Sequence, residues 1–83
     1  MMDNVRKVLK FLASREREKT GKAWTTGPEI KADLDMLIED INDAIRLAEK
    51  RGWVEWQRFM GSAPYYFTQA TITPEGRLWI EDV

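Results

Sequence analysis

The sequence predicts a mainly helical α+β domain: three helices, a two-stranded antiparallel β-hairpin, and a short C-terminal helix. Three observations predict it. Apolar residues recur at helical spacing in two separate stretches, Val5 to Leu12 and Ile38 to Ala48. Gly52 stops the second stretch, and a run rich in aromatic residues follows it. Finally, Ile72-Thr73-Pro74-Glu75 marks a strand running straight into a helix: Thr73 can cap, Pro74 presets the first helical φ, and Glu75 suits the positive helix end.

Taken in order, the first helix starts at Asp3, a residue able to cap, and carries Val5, Val8, Leu9 and Leu12 as one stripe. Its continuation, Arg15-Glu16-Arg17-Glu18-Lys19, alternates sign without an apolar face, so a solvated tail leading to a loop at Thr20-Gly21 is expected. Thr26-Gly27-Pro28-Glu29 has capping-box spacing and opens a short second helix holding Ile30 and Leu34. After a tight turn, Asp35 is a fair cap for a third helix over about residues 36–51, with Ile38, Ile41, Ile45 and Ala48 as its inward seam. The hairpin strands are expected at Trp53 to Met60 and Tyr65 to Thr73, separated by Gly61-Ser62-Ala63-Pro64. In the last helix Trp79, Ile80 and Val83 should face the core.

Composition narrows the functions. The chain has 83 residues and suits a single domain over 1–83, too small to bury more than about 60% of its unfolded surface. Lys and Arg number 13 against 14 Asp and Glu, so no overall positive field draws it to nucleic acid or anionic lipid. Any such binding is local. With no cysteine and no histidine, disulfides, thiolate nucleophiles, imidazole bases and the usual zinc and haem ligands are absent. The carboxylates have no metal-ligand spacing and the serines no partner pattern, so no catalytic residue, metal site or cofactor is assigned and an enzyme is not expected. No apolar run reaches the ~20 residues of a membrane span, and the first twelve residues alternate charged with apolar. A cytoplasmic protein without a membrane partner is the expectation.

The order of elements resembles the winged helix-turn-helix domain of bacterial and phage regulators, over nearly the whole chain. Glu29 to Leu34 is similar to that family's second helix, Ile41 to Glu55 to its recognition helix running into the first wing strand, and Ile72 to Arg77 to its exit from the second. The resemblance implies a third helix in the major groove of double-stranded DNA, a wing on the flanking backbone or minor groove, and a role in transcription regulation. With the isoleucine seam inward, the outward face carries Glu39, Asn42, Asp43, Arg46 and Lys50. Asn42 suits adenine, Arg46 guanine and Lys50 a phosphate, and Arg58 is the one cation between the wing strands. The acids fit the plainer role of favouring the helix start and pairing with Arg46, and the segment from residue 36 onward holds five basic against eight acidic side chains.

The hairpin itself favours an alternative. Gln57 and Gln69 are neutral, while Trp53, Trp56, Phe59, Met60, Tyr65, Tyr66 and Phe67 exceed what one face of a two-stranded ribbon buries. Trp53, Val54, Trp56 and Ile72 should roof the helices. Phe59, Met60, Tyr65, Tyr66 and Phe67, nearer the tip, form the candidate protein interface or self-association patch of a chain that binds no DNA. The basic residues of the first helix, Arg6, Lys7, Lys10, Arg15, Arg17, Lys19 and Lys22, suit a solvated surface, and by family analogy Phe11 or Leu78 would serve a dimer.

Overall fold

The computed structural model describes residues 2–17 and 23–81. Glu18 and Lys19 of the expected helix tail, the turn at Thr20-Gly21, Lys22 and Val83 lie outside these residues, as do the Glu16 and Arg17 side chains. Four helices, α1 (Met2–Arg17), α2 (Gly27–Leu34), α3 (Ile38–Lys50) and α4 (Pro74–Glu81), pack with a three-stranded antiparallel sheet of β1 (Thr25–Thr26), β2 (Val54–Gln57) and β3 (Gln69–Ile72). The sheet order is β1-β3-β2.

Two threonines turn strands into helices. Thr26 has extended backbone angles, φ −85° and ψ 162°, while its hydroxyl accepts the Glu29 N–H and Glu29 Oε1 accepts the Thr26 N–H at 2.9 Å. A capping residue is in effect a strand residue. With β-branched Thr25 before it, the segment can pair with β3, Thr25 opposite Ala70 and Thr26 opposite Gln69. That supplies a third strand where the sequence predicts a two-stranded hairpin. At the other corner Thr73 Oγ1 accepts the Gly76 N–H at 3.1 Å and caps α4 as expected.

Helix boundaries depart from expectation where caps compete. Asp3 lies within the first turn of α1, which begins at Met2, so it contributes charge there and does not cap. Asp35 ends α2 and does not start α3: it adopts left-handed angles, φ 52° and ψ 42°, and its N–H donates to the Lys31 carbonyl at 2.9 Å. Asp tolerates that conformation because its short polar side chain costs little there. Lys31 Nζ donates to the Met36 carbonyl across the turn, and α3 then starts behind Leu37 with no side-chain cap. Met36, expected inside the helix, is instead a buried residue of the turn. At the far end Gly52, φ 75°, closes α3: the Gly52 N–H donates to Glu49 and the Trp53 N–H to Ala48. This paired arrangement needs a left-handed residue that glycine adopts freely.

The core lies between α1, α3 and the sheet. Val5, Val8, Leu9 and Leu12 from α1 meet Ile41, Ile45 and Ala48 from α3, with Ile30, Val54, Ala70 and Ile72 completing the cluster. Each fully buried valine, leucine or isoleucine among them contributes about 1.5–3 kcal/mol. Ile38, at the start of the expected seam and the first residue of α3, is only partly buried. Trp53 and Trp79 stack with centroids 4.2 Å apart, fixing α4 against the start of β2, and Ile80 packs on the same core.

Arg15 Nη2 reaches Glu29 Oε2 at 2.8 Å and joins α1 to the first turn of α2. The Thr26 N–H is the main cause that holds the Glu29 carboxyl below its ordinary range; the Thr26 hydroxyl and Arg15 act in the same direction, against a partial loss of hydration. An unfolded Glu titrates near about 4.3, so stability from a lowered folded value is present above that pH and lost as pH falls through the folded value. The stability difference between wild type and Glu29→Gln, from urea unfolding, should therefore be largest near neutrality and shrink steadily below about pH 4. An equal difference at both ends of that range would contradict the assignment.

Gly76 provides a second check. A methyl group on its α-carbon would land on the Trp53 carbonyl oxygen. Gly→Ala inside a helix ordinarily stabilises by up to about 1 kcal/mol; here overpacking against backbone should reverse the sign, costing roughly 1–3 kcal/mol in Gly76→Ala. Urea unfolding of the variant reads that sign directly.

Candidate nucleic-acid interface

The candidate surface is built from α3 and the loop at residues 58–68. The strands end at Gln57 and begin again at Gln69, four residues each, so most of the expected hairpin length is loop. Its base is closed by polar pairs: the Thr68 N–H donates to the Gln57 carbonyl at 2.7 Å, Gln69 Nε2 donates to Gln57 Oε1 at 2.7 Å, and the Phe59 N–H donates to Thr68 Oγ1 at 2.7 Å. The two glutamine amides thus meet through one donor and one acceptor.

From that base the loop folds back over the helices, and this decides the fate of its aromatics. Tyr65 lies against Gly27 at the start of α2, where any β-carbon would collide with the ring. Phe67 is 1% exposed and meets Tyr65 edge-on. Its place in the predicted interface patch is therefore overturned, because the fold-back supplies a helical surface that an extended ribbon lacks. Tyr65 and Tyr66 are partly buried. Only Phe59, 55% exposed, and Met60, fully exposed, project from the loop as the sequence suggests. Trp53, Val54 and Ile72 are buried as roof residues, and Trp56 is partly buried.

Tyr66 organises the cations. The Arg46 guanidinium lies 4.5 Å from its ring centroid and that of Arg58 lies 5.2 Å away. Arg58 Nε also donates to the Tyr66 carbonyl at 2.9 Å, and Trp56 packs against the same ring at 4.9 Å. Arginine over an aromatic face gains roughly 0.5–1 kcal/mol at exposed sites and keeps its charge. Helix and loop thus place two exposed guanidinium groups around one ring, although eleven residues intervene in the chain. Arg46 takes this position in preference to the Asp43 pairing expected from their spacing. Lys50 is exposed one turn further along α3.

Asn42 is placed differently from the prediction. Its Oδ1 accepts the Tyr66 N–H at 2.7 Å and its Nδ2 donates to the Pro64 carbonyl at 3.1 Å. Both ends of the amide are occupied within the protein. No spacing rule reveals this, since the partners lie 22 and 24 residues away. Glu39 and Asp43 are exposed on the N-terminal half of α3, and Asp40 and Asp43 line a shallow groove with Asn4, Val5 and Ala44.

Elsewhere Arg15 serves the α1–α2 joint, and Arg6 lies 5.3 Å from the Trp79 ring. Of the two residues singled out for a dimer, Leu78 is exposed and Phe11 is partly buried near Arg15. Among the described residues there is no group of three carboxylates placed to hold a metal ion, and no helix is long and apolar enough to cross a membrane. No family model, curated protein or solved structure matches the chain.

Proposed function

We propose that this chain is a winged-helix protein that binds double-stranded DNA in a transcription-regulator-like role in the cytoplasm. In this reading α3 is presented to the major groove and the loop at residues 58–68 serves as the wing. The order of helices and the sheet order β1-β3-β2 support the architecture. One observation carries the function: Arg46 from α3 and Arg58 from the loop converge on Tyr66, so the two elements that would straddle a DNA backbone present their cations from one patch. Lys50 extends it. The exposed carboxylates of Glu39 and Asp43 repel phosphate, which orients the duplex toward the C-terminal half of α3. A cytosine amino group is the base-edge feature those carboxylates can accept from.

Three phosphate-competent cations imply modest affinity with a defined salt response. The slope of log affinity against log salt should be about −2.7, a loss of roughly 40-fold between 50 and 200 mM salt. Titration of a random duplex pool measures it. Arg46→Ala plus Lys50→Ala should flatten the slope to about −0.9. No salt-dependent binding by the wild type, or no loss in the double variant, would sink the reading.

A second reading rests on Phe59 and Met60, adjacent and exposed at the loop. There the chain associates with itself or with a protein partner through this pair, joined by the partly buried Tyr65 and Tyr66. Light scattering should then show an oligomer that Phe59→Ser plus Met60→Ser converts to monomer. A wild type that is monomeric at all concentrations, and loses no captured partner on substitution, would exclude it.

A further inference from the structure

We infer that Asn42 is a positioning residue of the proposed DNA surface, a latch that sets the 58–68 loop on α3, and that it reads no base. This rests on the DNA-binding reading above. An asparagine reads adenine through both amide atoms at once, Oδ1 accepting from N6 and Nδ2 donating to N7. Here the Tyr66 N–H and the Pro64 carbonyl already occupy those two atoms. The partners also fix which way round the amide sits, because an N–H needs an acceptor and a carbonyl needs a donor. Freeing the side chain would leave a part-buried N–H to be satisfied elsewhere.

The latch acts on the cations through one residue. The Tyr66 peptide nitrogen is held by Asn42 on α3, while the Tyr66 carbonyl accepts from Arg58 Nε in the loop. The Tyr66 ring in turn lies beneath the Arg46 guanidinium. Asn42 thus fixes the backbone at residue 66, that backbone holds Arg58 by its Nε, and the ring seats Arg46. Arg58's two terminal nitrogens retain their donors for phosphate oxygens. Asn42 and Arg58 have no contact of their own to lose. An effect of one on the other passes through the loop, and residue 66 is where the contacts of both converge.

A double-mutant cycle distinguishes a latch from a base reader. Duplex affinity and salt slope are measured for wild type, Asn42→Ala, Arg58→Ala and the double variant, each at a temperature well below its own thermal midpoint so that every variant is folded. For a latch, Asn42→Ala alone reduces the salt slope by at least the roughly one unit that Arg58→Ala removes, and the double variant is no weaker than the weaker single one. For a base reader, the losses add, the slope is kept in Asn42→Ala, and preference at one base pair relaxes; that result overturns the proposal. Losses that merely follow a fall in thermal midpoint also overturn it, since they reflect general destabilisation.

Amide hydrogen exchange at Tyr66 supplies a readout without DNA. Asn42→Ala should speed exchange there by on the order of tenfold, whereas Asn42→Asp, which keeps the acceptor, should retain protection. Unchanged exchange in Asn42→Ala overturns the latch even if DNA is bound. Altered exchange in a chain whose wild type binds no duplex shows instead that the DNA-binding reading has failed, and with it the role assigned to Asn42 on that surface.

Discussion

The hydroxyl of Thr73 ties together parts of the chain that meet at one corner of the fold. It donates to the Gly52 carbonyl at 2.6 Å and accepts from the Gly76 N–H, while the Thr73 N–H donates to the Trp53 carbonyl at 2.9 Å. One 8%-exposed residue thereby joins the end of α3, the approach to β2, the end of β3 and the first turn of α4. The left-handed turn at Gly52 brings its carbonyl within reach, and the absence of a side chain at Gly76 lets α4 approach the Trp53 backbone. The Trp53–Trp79 stack then covers the joint. Apolar burial dominates the energy of such a domain, but this joint sets the angle at which sheet and helices meet.

Much of that joint is legible in the residues themselves. Gly52 as a helix stop, Thr73 with Pro74 as a helix start, and Thr26 with Glu29 as a capping box are local devices, each complete within a few residues. The apolar stripes of α1 and α3 are equally local. Asp35 shows the ambiguity in such signals: the same short polar side chain suits a helix start and a left-handed helix end, and the backbone here takes the second. β1 escapes notice for a related reason. Two residues are too few for periodicity, and the cap they lead into accounts for the threonine without any strand.

The candidate site is less legible, because its decisive contacts join distant positions. Arg46, Lys50 and Arg58 can be named from helical spacing and from the scarcity of charge in the hairpin. That Arg46 and Arg58 meet at Tyr66 depends on a loop folding back, and nothing in residues 58–68 announces the direction of that fold. The excess of aromatic area is a real signal, but the helices cover part of it: Phe67 is buried while Phe59 and Met60 stay exposed. An extended ribbon cannot bury Phe67 and Tyr65; a loop laid over α2 can. Asn42 illustrates the same limit, since its residue type suits a base reader as well as a backbone clamp.

The contact between Tyr65 and the bare backbone of Gly27 has a mechanical consequence. Successive residues of one loop are committed to different helices, Tyr65 to the first turn of α2 and Tyr66 to Asn42 on α3. Seated on both, the pair spans the two helices like a gauge block. Were α2 to pivot relative to α3, by strain at the Asp35 turn or by a load on either helix, the dipeptide could not satisfy both seats. The displacement would be transmitted to the guanidinium groups around Tyr66. The loop therefore registers the angle between two helices that are themselves joined by only three residues.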